Sequence, residues 1–138
     1  MNDRLYRLRL PGGCAVTYNS AFADVPMEVR DGQIVNFDYH KEDLLMIRQI
    51  TTRSGDWQID PAGWLVDLGW YPDSDPEGAY TINVVRGNWD ELLFRVTNRD
   101  GEIIRTAIER ILDGLTRGQA IPLLCAAVDG ELPEASAD

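Results

Sequence analysis

The sequence predicts an α+β domain in which a mostly antiparallel β-sheet packs against a C-terminal amphipathic helix. Three observations predict it. Segments that alternate apolar and polar residues fill the chain up to residue 97. Turn signals built on glycine, aspartate and proline separate them. One later segment repeats its apolar residues every three or four positions, the period of a helix.

The elements follow in order. Residues 5–10 alternate Tyr6, Leu8 and Leu10 with Arg7 and Arg9, which reads as a strand stopped by Pro11-Gly12-Gly13. Residues 14–18 (CAVTY) form a second short strand. A hairpin turns at Asp31-Gly32. A two-residue turn there would set Met27 opposite polar Asn36. One extra loop residue instead pairs Val29 with Val35 and Met27 with Phe37, so a three-residue loop is expected, with Asn36, Asp38 and His40 facing outward. Strands follow over 44–52, 63–71, 79–85 and 90–97. In 63–71, Trp64, Val66, Leu68 and Trp70 share one face, while Leu65, Asp67 and Tyr71 share the other. The helix spans 100–116 through Ile103, Ile104, Ala107, Ile108, Ile111, Leu112 and Leu115, capped by Asn98 or Asp100 and ended by Gly118. Residues 121–128 make a short apolar piece, a helical turn opened by Pro122. One domain is expected over 1–128, and residues 129–138 read as an acidic, disordered tail.

Charge narrows the function. The 138 residues hold 23 acids against 13 bases, a net charge of −10. Such a field repels nucleic acid and anionic membranes and steers basic proteins inward. Arg4, Arg7 and Arg9 lack the interleaved aromatics of a single-strand platform. No stretch has the length of a signal core or a membrane span, so a cytoplasmic protein is expected. Cys14 and Cys125 stand in no close-spaced motif and read as reduced core thiols.

Chemistry-bearing motifs are sparse. His40 is the single histidine, and no serine, cysteine or second histidine is spaced to make it a catalytic base. Asp73, Asp75, Glu77 and Gly78 fit the first half of a calcium loop, but the twelfth position is Val84 where a glutamate is needed. No metal, no cofactor and no enzyme activity are therefore expected. A binding module is. Between Arg53 and Arg86 the chain carries six acids, three of its four tryptophans and no base. Aromatics give contact area at low entropic cost, and neighbouring acids select a basic partner. Trp64 and Trp70 belong to the apolar face and read as core, whereas Trp57 and Trp89 sit near turns. The expected partner surface is Asp67, Tyr71, Asp73, Asp75 and Glu77, with a second patch at Asp38, Glu42 and Asp43.

The stretch 55–112, with Gly55-Asp56-Trp57, Gly63-Trp64, the acidic turn 72–78 and the closing amphipathic helix, resembles small bacterial immunity proteins of polymorphic-toxin and contact-dependent inhibition systems. That resemblance implies a cytosolic inhibitor covering a cognate toxin, often a basic nuclease. It carries over no toxin-contact residue. An adaptor or self-assembling subunit, and a small ligand-binding domain, are the alternatives.

Overall fold

Every strand pairs antiparallel with its neighbours among residues 5–133, which the computed structural model describes. In chain order the elements are β1 (Cys14–Asn19), β2 (Val29–Arg30), β3 (Gln33–Ile34), β4 (Leu45–Arg53), β5 (Asp56–Ile59), β6 (Trp64–Tyr71), β7 (Ala79–Arg86), β8 (Glu91–Asn98), α1 (Gly101–Thr116) and α2 (Ile121–Ala127). The main sheet runs β1-β4-β6-β7-β8, with β5 continuing outward along β4, and β2-β3 form a separate small hairpin. The fold is α+β, an antiparallel sheet covered on one side by helix.

Strict alternation decides which side that is. Cross-strand partners share a face, so Ile47, Val66 and Val84 line up with Phe94, and Leu45, Leu68 and Ile82 with Val96. These residues merge with Ile104, Ile108, Ile111 and Leu112 of α1 and Leu124 of α2 into one core. Asp100 caps α1 by accepting from the Glu102 and Ile103 amides, at 2.9 and 3.4 Å. The helix ends in a Schellman arrangement, in which Gln119 N–H donates to Gly114 and Gly118 N–H to Leu115. Gly118 takes φ +71°, a left-handed conformation that suits a residue without Cβ. Both cysteines are free, Cys125 within the core and Cys14 donating to the Pro11 carbonyl.

Several expectations need correction. Residues 5–10 are not a strand: Leu5 makes one isolated bridge to Ala23, and the segment instead runs beside α1, where Arg9 N–H donates to Glu109. The β2–β3 hairpin turns through two residues rather than three, pairing Val29 with Ile34 and Arg30 with Gln33. Asp31 and Gly32 both take positive φ, the geometry of a tight hairpin turn. The objection to placing Asn36 opposite Met27 fails because Asn36 is hydrogen-bonded there, accepting from Glu28 N–H and donating to the Pro26 carbonyl. His40 does not face outward; it is 2 % exposed. Ile103, assigned to the helix's inner stripe, is exposed. The expected tail from Asp129 begins with pairing, since Glu131 exchanges two backbone hydrogen bonds with Arg95 of β8. Arg4 and residues 134–138 lie outside the described residues. Among the described residues, no helix is long and apolar enough to cross a membrane.

Candidate functional site

Among the described residues, no helix covers the second face of the sheet. Its central side chains are Arg48 of β4, Asp67 and Tyr71 of β6, Thr81 and Asn83 of β7, and Arg95 and Thr97 of β8. Leu65 and Val85, register partners on this side, are buried apart from the main core. Arg95 is tied down by donating to the Asn83 side chain at 2.7 Å. Two shallow depressions flank β6. One, of about 640 Å³, lies among Tyr18, Met46, Arg48, Ile59 and Asp67. The other, of about 480 Å³, is walled by Tyr71, Arg95 and a half-exposed Trp89.

At one end of this face the chain folds its acids together. Leu44 N–H donates to Leu68 and Trp70 N–H to the Lys41 carbonyl, so Glu42 and Asp43 oppose the single residue Gly69. Two residues against one is a β-bulge, a device that re-aims side chains. Gly69 is required here, because a Cβ would overlap the Glu42 carbonyl oxygen. The bulge thereby brings Glu42 and Asp43 to Asp67 and Tyr71, which the sequence had assigned to a different patch. Asp67 is 4 % exposed and accepts from the Tyr71 hydroxyl at 3.3 Å. Burial pushes its carboxyl up to about 6; Asp43 and Glu42 add to the rise, and the Tyr71 hydrogen bond opposes it. Burial also raises the Tyr71 phenol, helped by the Asp67 charge and hydrogen bond. Asp67 therefore cannot reach a partner directly. It fixes Tyr71 and adds charge beneath the bulge.

The 72–78 loop packs against the same segment. Ser74 N–H donates to the His40 carbonyl at 2.8 Å, and Trp70 Nε1 donates to the Asp75 carbonyl at 2.7 Å. Arg99 lies over the Trp70 ring and donates to the Gly78 and Pro76 carbonyls. Asp75, partly buried, accepts from Glu77 N–H through one carboxylate oxygen, an Asx turn that fixes the loop. Asp38, Glu42, Asp43, Asp73 and Glu77 remain exposed at this end. Lys41 is the one cation within 38–43 and 73–77.

Trp64 and Trp70 are core, as their alternation predicts, while Trp57 is 68 % exposed. His40 stacks edge-on to Trp70 at 4.8 Å, and its Nδ1 makes no hydrogen bond. Burial lowers its pKa, with Arg99 adding to the fall and the Asn36 backbone opposing it in part. It borders a cleft of about 240 Å³ that also contains Tyr6, Asp24, Tyr80 and Arg99. Among the described residues, no group of three metal-ligating side chains converges.

The molecule is thus an α+β domain with one helix-covered sheet face and one open face that ends in acids. No family model, curated protein or solved structure matches this chain.

Proposed function

We propose that this chain is a cytoplasmic immunity protein that binds and neutralises a basic protein toxin through its acidic end. The observation that carries this reading is the placement of five exposed carboxylates, drawn from two distant segments, on a scaffold braced by the Gly69 bulge and the Arg99–Trp70 stack. A charged surface of one sign raises association rates with an oppositely charged partner, and fixed side chains forfeit little entropy on binding. Tyr71, partly buried beside Glu42 and Asp43, supplies the aromatic anchor. The reading as a non-enzyme rests on His40, which is buried against Trp70 rather than set beside a nucleophile. The resemblance to immunity proteins points the same way.

The test is co-expression with the proteins encoded by neighbouring genes. A stoichiometric basic partner, toxic alone and harmless beside this chain, is the expected result. Replacing Glu42, Asp43, Asp73 and Glu77 by lysine should slow its association at least about tenfold at low salt. An unaltered association rate removes the acidic end from the interface.

A small-ligand role is the second reading, favoured by the unpartnered Nδ1 of His40 in the 240 Å³ cleft. A thermal-shift screen with metabolites separates the two, since a ligand of the native state raises the melting temperature.

A further inference from the structure

In a chain of net charge −10, one depression of the open face is lined by a base and no acid. It is the space of about 480 Å³ bounded by Tyr71, Thr81, Asn83, Trp89, Arg95 and Thr97. The other depression beside β6 contains Asp43 and Asp67. Sheet register builds the floor. Antiparallel partners share a face, so Asn83 and Arg95 form one rung and Thr81 and Thr97 the next. Asn83 is 5 % exposed, and its Oδ1 accepts from Arg95 Nε at 2.7 Å. That bond holds the guanidinium and leaves its two terminal nitrogens unused. Among the described residues Arg95 makes no other side-chain hydrogen bond and no ion pair. Glu131, its cross-strand partner, and Asp67, in the same row across β7, do not pair with it. Asn83 Nδ2 and the Thr81 and Thr97 hydroxyls likewise make no hydrogen bond among the described residues. Tyr71 at the end of β6 and Trp89 at the β7–β8 turn supply aromatic walls. Trp89 holds φ +68°, a conformation that bulky residues rarely adopt, so the turn carries strain where it sets this indole.

We propose that this depression binds a small-molecule carboxylate built on a flat ring. A guanidinium held through Nε offers its terminal nitrogens as a planar fork, which takes a carboxylate through two parallel N–H···O bonds. Asn83 Nδ2 and the two threonine hydroxyls add donors, and no acid in the lining competes for them. A neutral polyol would use the hydroxyls but leave the Arg95 charge unmatched, and a cation would be repelled by it. The walls select the ring, because aromatic groups favour offset or edge-on contact with one another. Donors already fixed by the sheet forfeit little entropy when a ligand arrives. The inference goes beyond the immunity reading and uses none of its acids; Tyr71 alone is common to both.

Benzoate is the probe, followed by proton–nitrogen NMR of the full chain at Arg95 Nε, Asn83 Nδ2 and Trp89 Nε1. These resonances should shift saturably with a dissociation constant of about 1 mM, an ordinary affinity for a ligand of that size. Benzamide, the same ring without the charge, should bind at least about tenfold more weakly, and so should benzoate to Arg95→Gln. Trp89→Ala should weaken benzoate about threefold or more. Arg95 and Trp89 are both exposed, so the unliganded variants should melt close to the wild-type temperature. Benzoate that moves none of the three groups overturns the proposal. So does benzamide binding as well as benzoate, or benzoate affinity that Arg95→Gln leaves unchanged. None of these outcomes touches the exposed carboxylates, so the immunity reading stands or falls separately.

Discussion

The two faces of the sheet are made by the same strands and follow different rules. On the helix side Ile47, Val66, Leu68, Ile82, Val84 and Phe94 are fully buried aliphatic or aromatic groups meeting α1 and α2. On the other side the same strands present Arg48, Asp67, Thr81, Asn83 and Arg95, with a carboxylate buried at a cost. The first face is what folding requires. The second retains a carboxylate that burial disfavours, Asp67, beside hydrogen-bonded polar groups such as Asn83 and Arg95.

The largest effect should come from the finished face. Phe94→Ala removes a fully buried ring from the centre of the core, and should cost about 3–5 kcal/mol in denaturant unfolding. A loss below about 1 kcal/mol would mean that the helix and the sheet are not packed as described. Gly69→Ala acts at the boundary between the faces. Its methyl group must displace the Glu42 carbonyl, so a loss of about 3 kcal/mol is expected, together with slower binding as the bulge shifts. Alanine tolerated without change would detach Glu42 and Asp43 from Asp67.

Asp67→Asn should stabilise. The folded carboxyl titrates near 6 against an ordinary 3.8, so ionisation works against the fold. Stability falls as pH rises across that window, with the full cost present above it. Removing the charge should add about 2–3 kcal/mol at pH 7, as the shift implies. His40 slopes the other way, because its pKa is lowered and protonation below its usual 6.5 opposes folding. The asparagine variant should therefore lose stability between pH 7 and 5 more steeply than the wild type. Parallel curves would show that Asp67 is not desolvated. Smallest of all, Asp73→Lys with Glu77→Lys should change stability by less than about 0.5 kcal/mol, since both are exposed, while still slowing association.

The helix-side face was legible in the sequence because period-two and period-3.6 patterns report burial against one layer. Trp64, Trp70, the four long strands and Ile104 to Leu112 all fall where alternation puts them. The open face was not, because a polar residue on a strand reads as solvated whether or not its neighbours bury it. Asp67 shows this: Glu42 and Asp43 reach it through a bulge that no local pattern announces. His40 fails for a related reason, since the chain leaves strand geometry at the Phe37–Tyr39 turn and the outward parity ends there. The β4–β5 hairpin did leave a signal, Ser54-Gly55 between Ile-Thr-Thr and Trp-Gln-Ile, the spacing of a two-residue hairpin.

The acidic end is proposed to recognise a basic protein. The most direct measurement is the association rate of the purified chain with the partner recovered from neighbouring-gene co-expression, followed from low to high salt. The rate should fall steeply with salt, and the variant with lysine at residues 42, 43, 73 and 77 should be slow at every salt concentration. A partner that binds the wild type and that variant at the same salt-insensitive rate would contradict the account.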